Sequence, residues 1–234
     1  MRTFEPEDSL NAYCDELNAQ LAHREISEAE WYDARRKATG IAYLSRDNPR
    51  AQSGHGGDEV RWQYTRVLMI LEAIYKRGSF LDVGCANGYL VECLEKWVSG
   101  AGLDIDFYGV DICEGLVDLA RRRLPERAGK FSVANAVLWT PDRRFDYVHA
   151  HELSYAPVHR EREFLEHLLE DYLSPGGRLI IGPWAVHRDS TGLENRLASW
   201  GYEPTGSLLK THSKDSSLTR KMIWFDKPLE IGSK

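Results

Sequence analysis

The chain has 234 residues and a net charge of −6, with 42% hydrophobic and 28% charged residues. This length fits one domain of ordinary to large size, and no run of about 18 apolar residues could cross a membrane. Residues 1–30 hold eight acids and two arginines and therefore account for the whole net charge. The remainder is neutral and is a poor platform for a phosphate backbone, so we expect no nucleic-acid partner and no membrane partner.

The acidic amino terminus has no apolar signal segment, and we therefore predict a cytoplasmic protein. Cysteine usage agrees with a reducing compartment. The four cysteines form no Cys-x-x-Cys pair, and no Cys/His spacing resembles a zinc site. We expect reduced, packed thiols and no metal site.

The first 76 residues predict helices joined by loops. Apolar spacing predicts helices over residues 8–24 and 59–76, and a capping box at Ser27 and Glu30 opens another helix that reaches about residue 39. The last of these helices is predicted to end at Gly78. We predict that residues 1–76 form a helical cap or lid region.

From Ser79 the pattern changes to short apolar strands alternating with helices. Predicted strands cover residues 80–83, 107–111, 131–134, 145–149 and 178–182, and two further strands are predicted near 203–210 and 219–225. Predicted helices cover residues 88–98, 114–123, 160–172 and 192–200. The segment SPGG at 174–177 predicts a sharp turn into the fifth strand. This alternation predicts an α/β fold over residues 77–234, with a parallel sheet and helices on both faces.

The turn after the first strand reads FLDVGCANGYL and is where such sheets bind ligands. Its small residues are Gly84, Ala86 and Gly88, and Tyr89 stands where a dinucleotide fingerprint needs its third glycine. No Gly-Lys-Ser/Thr follows, so a Walker-type phosphate loop is absent. The spacing therefore argues against a dinucleotide.

Two carboxylates near the turn indicate which chemical groups the ligand carries. Asp82 lies just before the turn, where it would repel a pyrophosphate and suit an ammonium or a hydroxyl-rich group. Asp111 closes the second strand, where a carboxylate accepts hydrogen bonds from two ribose hydroxyls. The expected ligand therefore carries an amine and a ribose.

Five segments occur in an order that resembles the class I S-adenosylmethionine (SAM)-dependent methyltransferases: LDVGCANGYL, YGVDI, VANA, FDYVHAHEL and LSPGGRLII. The resemblance covers about residues 80–182. It implies a Rossmann-like, doubly wound, mostly parallel seven-stranded sheet and SAM as the cofactor. It places the turn at the methionine portion, Asp111 at the ribose, Asn135 and Ala136 at the adenine, and residues 150–153 near the reacting methyl group. The cofactor-binding residues implied are Asp82, Gly84, Cys85, Ala86, Asn87, Gly88, Asp111, Ile112, Asn135, Ala136 and Ala150.

Methyl transfer from a sulfonium needs alignment and exclusion of water, and it needs a base only if the acceptor must lose a proton. The segment HAHELSYAPVH at 149–159 carries three histidines. His151 lies just past the strand end, and we predict that it is the general base or orients the acceptor. Glu152 and Tyr155 share this loop and are predicted to bind substrate. For His149 a packed strand residue is favoured.

The glycine-rich segment at 53–58 has two interpretations. It could be a mobile lid over the cofactor, with Tyr64 or Trp62 lining the substrate pocket. It could equally be a surface loop whose Asp58 caps the next helix.

These observations predict a SAM-dependent methyltransferase that acts on a small organic molecule by O- or N-methyl transfer. One alternative is an RNA or protein methyltransferase, although HELSY replaces the Asn/Asp-Pro-Pro-aromatic signature expected after the fourth strand for amino-group methylation of bases. Another is a non-catalytic SAM-binding module. A nicotinamide oxidoreductase would require the spacing argument to fail.

Overall fold

The structure is a computed structural model that describes residues 7–54, 57–186, 192–212 and 215–229. Within those ranges the α-helices are α1 Glu7–Ala22, α2 Glu28–Leu44, α3 Glu59–Trp62, α4 Leu68–Glu72, α5 Tyr89–Gly100, α6 Glu114–Arg123, α7 Glu161–His167 and α8 Gly192–Ser199. The strands are β1 Gly78–Val83, β2 Ile105–Asp111, β3 Phe131–Val133, β4 Phe145–Ala150, β5 Leu173–Ala185, β6 Gly206–His212 and β7 Asp215–Asp226. No helix in the described ranges is long and apolar enough to cross a membrane.

The seven strands form one sheet in the order β3-β2-β1-β4-β5-β7-β6. Strands β1 to β5 pair in parallel, whereas β7 runs antiparallel to both β5 and β6. The strand order reverses between β1 and β4, which is the position where ligands bind in open α/β sheets. The predicted Rossmann-like, mostly parallel seven-stranded sheet with N-terminal helices is confirmed.

Two apolar cores cover the two faces of the sheet. Alternate side chains of β1 point to opposite faces, with Leu81 in the first core and Phe80 in the second. The first core also receives Trp31 from α2, and the second receives Ile70 from α4. Both cores therefore draw on residues from either side of the predicted boundary at 76/77, which itself stays a prediction.

The helix predicted over 59–76 is shorter and irregular. It contains a π-helical segment, Gln63–Val67, and its last α-helical part ends at Glu72. The amides of Tyr75 and Lys76 instead donate to the Tyr147 hydroxyl, at 3.1 and 2.9 Å. Gly78 was predicted to end the helix, but it opens β1, because this long-range contact directs the chain into the sheet.

Other boundaries also differ from the prediction. The segment at 174–177 is not a turn before the fifth strand but a bulge inside β5, where the pairing with β4 shifts register and Gly176 has φ 73°. The capping box at Ser27 and Glu30 is present, and α2 continues to Leu44, beyond the predicted end near residue 39. Strand β7 begins earlier than the predicted residue 219.

Candidate active site

The glycine-rich turn joins β1 to α5 through residues with positive φ angles. Gly84 has φ 75°, Ala86 φ 45° and Gly88 φ 73°, and α5 begins at Tyr89. A Cβ atom at Gly84 would lie 2.5 Å from the Tyr155 hydroxyl oxygen. The loop that follows β4 therefore lies directly over the turn, and only glycine allows this approach.

Asp111 ends β2 beside this turn. Its two carboxylate oxygens accept hydrogen bonds from the amides of Ala86, at 2.9 Å, and Cys113, at 2.8 Å. Burial raises the pKa of the Asp111 carboxyl to about 6, although the two amide hydrogen bonds oppose the shift. A carboxylate has about four acceptor positions. Asp111 can therefore accept further hydrogen bonds from a ligand.

A cleft of about 1070 Å³ lies between the carboxyl-end edge of the sheet and helices α1 and α2. The structure brings most of the predicted site residues to its wall. Those lining it are Gly84, Ala86, Asp111, Ile112, Asn135, Ala136, His151, Glu152 and Tyr155. Two apolar side chains also line the wall: Trp184 from β5 and Leu193 from α8. The cleft can hold SAM, because Asp111 and the turn line a volume of sufficient size.

Several predicted cofactor-binding residues do not face this cleft. Cys85 points into the second core, where a Cβ atom at Gly109 would lie 2.8 Å from its sulfur. The Asn87 amide donates to the carbonyl oxygen of Pro49, at 2.9 Å, and so connects the loop after α2 to the turn. Gly88 packs against α6, and Ala150 is buried at the end of β4. These four residues do not line the cleft, and their predicted role in cofactor binding stays a prediction.

The Asp82 side chain contacts His149 on the neighbouring strand β4. Its carboxylate oxygen lies 2.7 Å from His149 Nδ1, and His149 Nε2 lies 2.7 Å from the Gly182 carbonyl oxygen. A carbonyl only accepts, so Nε2 carries a hydrogen and the two side chains share one further proton. His149 therefore uses one of the acceptor positions of this carboxylate, and the predicted contact of Asp82 with the cofactor stays a prediction. His149 is buried, as predicted, but it links β1, β4 and β5 through polar contacts.

His151 contacts Arg66, a residue that the sequence reasoning missed. The Arg66 Nη2 atom lies 3.2 Å from His151 Nε2. A guanidinium only donates hydrogen bonds, so Nε2 is the acceptor in this contact. Burial lowers the pKa of Arg66, and its guanidinium also lies over the Trp62 ring at 5.4 Å. The Nε2 lone pair of His151, with which a general base would accept a proton, is therefore already hydrogen-bonded to Arg66.

Arg66 reaches the cleft from the π-helical segment. The residues of this region that line the cleft are Arg61, Thr65 and Arg66, and the predicted Tyr64 is not among them. Trp62, the other predicted lining residue, is buried in the second core and stacks on Tyr89 at 5.4 Å. A π turn shifts the helical register, and such turns are frequent at functional sites. No sequence signal marks this turn.

Two further predictions are that the protein has no metal site and that the loop at 53–58 forms a mobile lid. Within the part of the chain that the structure describes, no group of three or more His, Cys, Asp or Glu side chains is arranged to hold a metal ion. The predicted lid at 53–58 includes residues 55–56, which lie outside the described ranges. Asp58 caps α3 by accepting from the Arg61 amide at 2.7 Å. Closure of this loop stays a prediction.

A family model described as a methyltransferase domain matches residues 80–177, which contain the turn, Asp111 and the loop after β4. Residues 80–177 therefore carry a methyltransferase domain. The family predicted from the five ordered segments is confirmed.

Two curated relatives are similar to part of this chain. A trans-aconitate 2-methyltransferase of Methylobacterium radiotolerans is 31% identical over 138 residues, which are 50% of this chain and 50% of that protein. A tRNA U34 carboxymethyltransferase of Ectopseudomonas mendocina is 30% identical over 132 residues, 55% of this chain and 38% of that protein. The chain thus spans half or less of the length of these relatives.

A solved structure agrees with the fold. The Burkholderia thailandensis 1,6-didemethyltoxoflavin-N1-methyltransferase, which contains 1,6-didemethyltoxoflavin and S-adenosylhomocysteine, has a TM-score of 0.60 and 16% identity, with 87% of this chain and 91% of that chain covered. At this identity the likeness establishes the fold alone.

Proposed function

We propose that this chain transfers the methyl group of SAM to a small organic acceptor. The observation that carries the proposal is the cleft itself, which the turn and Asp111 line together with the loop after β4 and the N-terminal helices. A roofed cleft of this kind fits a cofactor beside a small acceptor better than an extended chain. The small-molecule relatives support the same class of acceptor.

In this proposal Asp111 accepts hydrogen bonds from the ribose hydroxyls, and Ile112, Asn135 and Ala136 line the adenine. When bound, SAM supplies an activated methyl group that the acceptor displaces from sulfur. The protein aligns the acceptor and excludes water from the reacting end. Glu152 and Tyr155, both on the wall of the cleft, are proposed to contact the acceptor.

Cofactor choice gives the first test. We expect calorimetry to detect binding of S-adenosylhomocysteine and none of NAD, because the turn lacks the third glycine that a pyrophosphate requires. Methyl transfer is then followed by mass spectrometry with a panel of small acids, amines and phenols, including trans-aconitate. Tight NAD binding without S-adenosylhomocysteine binding would refute the proposal.

His151 gives the second test. With Nε2 accepting from Arg66, the neutral ring carries its hydrogen on Nδ1 and is suited to orient an acceptor by donation. We expect His151→Ala to reduce turnover about tenfold, less than the roughly hundredfold or more that loss of a general base costs. Cofactor affinity should stay unchanged. A bell-shaped or sigmoidal pH profile that disappears with the substitution would restore the base role predicted from sequence.

RNA is the second candidate acceptor, and the tRNA-modifying relative is the observation that favours it. Incubation with unfractionated tRNA and SAM labelled in its methyl group distinguishes the two candidate acceptors. Label in the nucleic acid would show that RNA, and not a small molecule, is the acceptor. A non-catalytic SAM-binding module would bind S-adenosylhomocysteine but transfer no methyl group to any acceptor class.

A further inference from the structure

Arginine dominates the charge of the cleft wall. Among the residues that the structure describes, seven arginines and no lysines line the cleft, against four acids, although the chain as a whole carries −6. The arginines are Arg35, Arg36, Arg46, Arg61, Arg66, Arg196 and Arg220. One of the four acids is Asp111, which the proposed function already assigns to the ribose. The cleft wall therefore carries more cationic than anionic side chains.

Only part of this positive charge is neutralised by neighbouring acids. Arg36 pairs with Asp33 at 2.6 Å, and Arg196 pairs with Glu161 at 3.0 Å. Within the described ranges Arg35 forms no ion pair with an acid, and its guanidinium instead lies 5.0 Å from the centre of the Trp31 ring. An aromatic face orients a guanidinium without neutralising it. Arg35 is therefore held in the cleft with its charge available.

Arg35 lines the same cleft as Cys14 and Glu152. Burial raises the pKa of the Cys14 thiol, the Arg35 guanidinium lowers it, and the Glu152 carboxylate raises it further. Both charged groups are therefore within electrostatic reach of the Cys14 thiol. Glu152 follows β4, whose carboxyl end is the proposed place of methyl transfer. Arg35 and the loop after β4 therefore share the part of the cleft around Cys14.

We propose that the methyl acceptor is a small organic carboxylate, bound by Arg35 and by further guanidinium groups of the cleft wall. The planar guanidinium matches the two oxygens of a carboxylate, and arginine is less strongly hydrated than lysine, so it suits a partly closed cleft. The apolar part of the acceptor would lie against Trp184 and Leu193. This inference rests on the proposed function and adds the chemical class of the acceptor.

Calorimetry on the protein loaded with S-adenosylhomocysteine tests this assignment. The probes are malonate, succinate, tricarballylate and phenylacetate, each compared with its neutral amide, together with inorganic phosphate and glycerol phosphate. We expect at least one acid to bind at least about tenfold more tightly than its amide. Arg35→Gln should weaken that binding about tenfold, and Arg35→Lys should retain part of it.

Lys37 provides the matched control. It lies on the same helix, is 63% exposed and pairs with Asp33, so Lys37→Gln removes the same charge outside the cleft. Carboxylate binding should be the same in Lys37→Gln and in the unaltered protein, and S-adenosylhomocysteine affinity should be the same in all variants.

Three results would overturn the inference: amides that bind as tightly as their acids, an Arg35→Gln variant that binds acids normally, or binding confined to the phosphates. Failure of S-adenosylhomocysteine to bind would contradict the proposed function instead. The carboxylate titrations on the unloaded protein would then still decide the charge preference of the cleft.

Discussion

Replacing Asp111 by alanine is expected to weaken S-adenosylhomocysteine binding about a hundredfold. Two hydrogen bonds from the ribose hydroxyls to a carboxylate contribute roughly 1.5 kcal/mol each, and about 2.8 kcal/mol corresponds to two factors of ten. Calorimetry at pH 7.5 measures the change. Asp106→Ala is the control, because Asp106 lies on the same strand but pairs with Arg127 at 3.1 Å and does not line the cleft.

The raised pKa of Asp111, about 6, adds a pH dependence to this prediction. Cofactor binding needs the carboxylate, so affinity should fall as the carboxyl becomes protonated and should be about tenfold weaker at pH 5 than at pH 7.5. Asp106→Ala should keep this dependence, and Asp111→Asn should lose it. Equal affinity of Asp111→Ala and the unaltered protein would show that the ribose lies elsewhere.

The raised pKa of the Asp111 carboxyl also affects the stability of the fold. The folded-state pKa lies above the ordinary value near 4, so the folded chain holds more protons than the unfolded chain between about pH 4 and pH 6. The contribution of Asp111 to stability therefore decreases as pH rises through this window. Asp111→Asn should remove that part of the slope.

Replacing His149 by leucine is expected to lower the free energy of unfolding by about 3–5 kcal/mol, measured by urea denaturation. The substitution leaves Asp82 buried without its partner and leaves the Gly182 carbonyl oxygen without its donor, and breaking a buried pair has a cost of this size. The side chains of His149 and Asp82 are only 1% and 4% exposed, so water cannot replace the lost contacts.

His167 offers a matched control for this substitution. Its ring also lies between a carboxylate, Asp171 at 2.7 Å, and a carbonyl oxygen, Trp139 at 2.9 Å, but Asp171 is 45% exposed. His167→Leu should therefore cost about 1 kcal/mol or less. The double variant Asp82→Leu/His149→Leu should recover part of the stability lost in His149→Leu, because it removes the unpaired buried carboxylate and leaves only the Gly182 carbonyl oxygen without its donor. Similar losses for His149→Leu and His167→Leu would contradict the prediction.

The sequence by itself determined the strand–helix alternation, the turn at 84–88, the position of Asp111 at the end of β2 and the family. These features are local, because a hydrophobic period, a run of small residues and a strand end are each encoded within a few neighbouring residues. The capping box at Ser27 and Glu30 was predictable for the same reason.

Only the tertiary structure decided which side chains meet. The contact of Asp82 with His149 spans 67 positions and that of Arg66 with His151 spans 85, and neither has a local signal. Strand order brings the first pair together, and the π-helical turn brings Arg66 rather than Tyr64 to the cleft. The same holds for the arginine-rich wall, because its members come from helices, a loop and a strand far apart in a chain whose net charge is negative. Composition sums charge along the chain, whereas a binding site depends on how the fold distributes that charge in space.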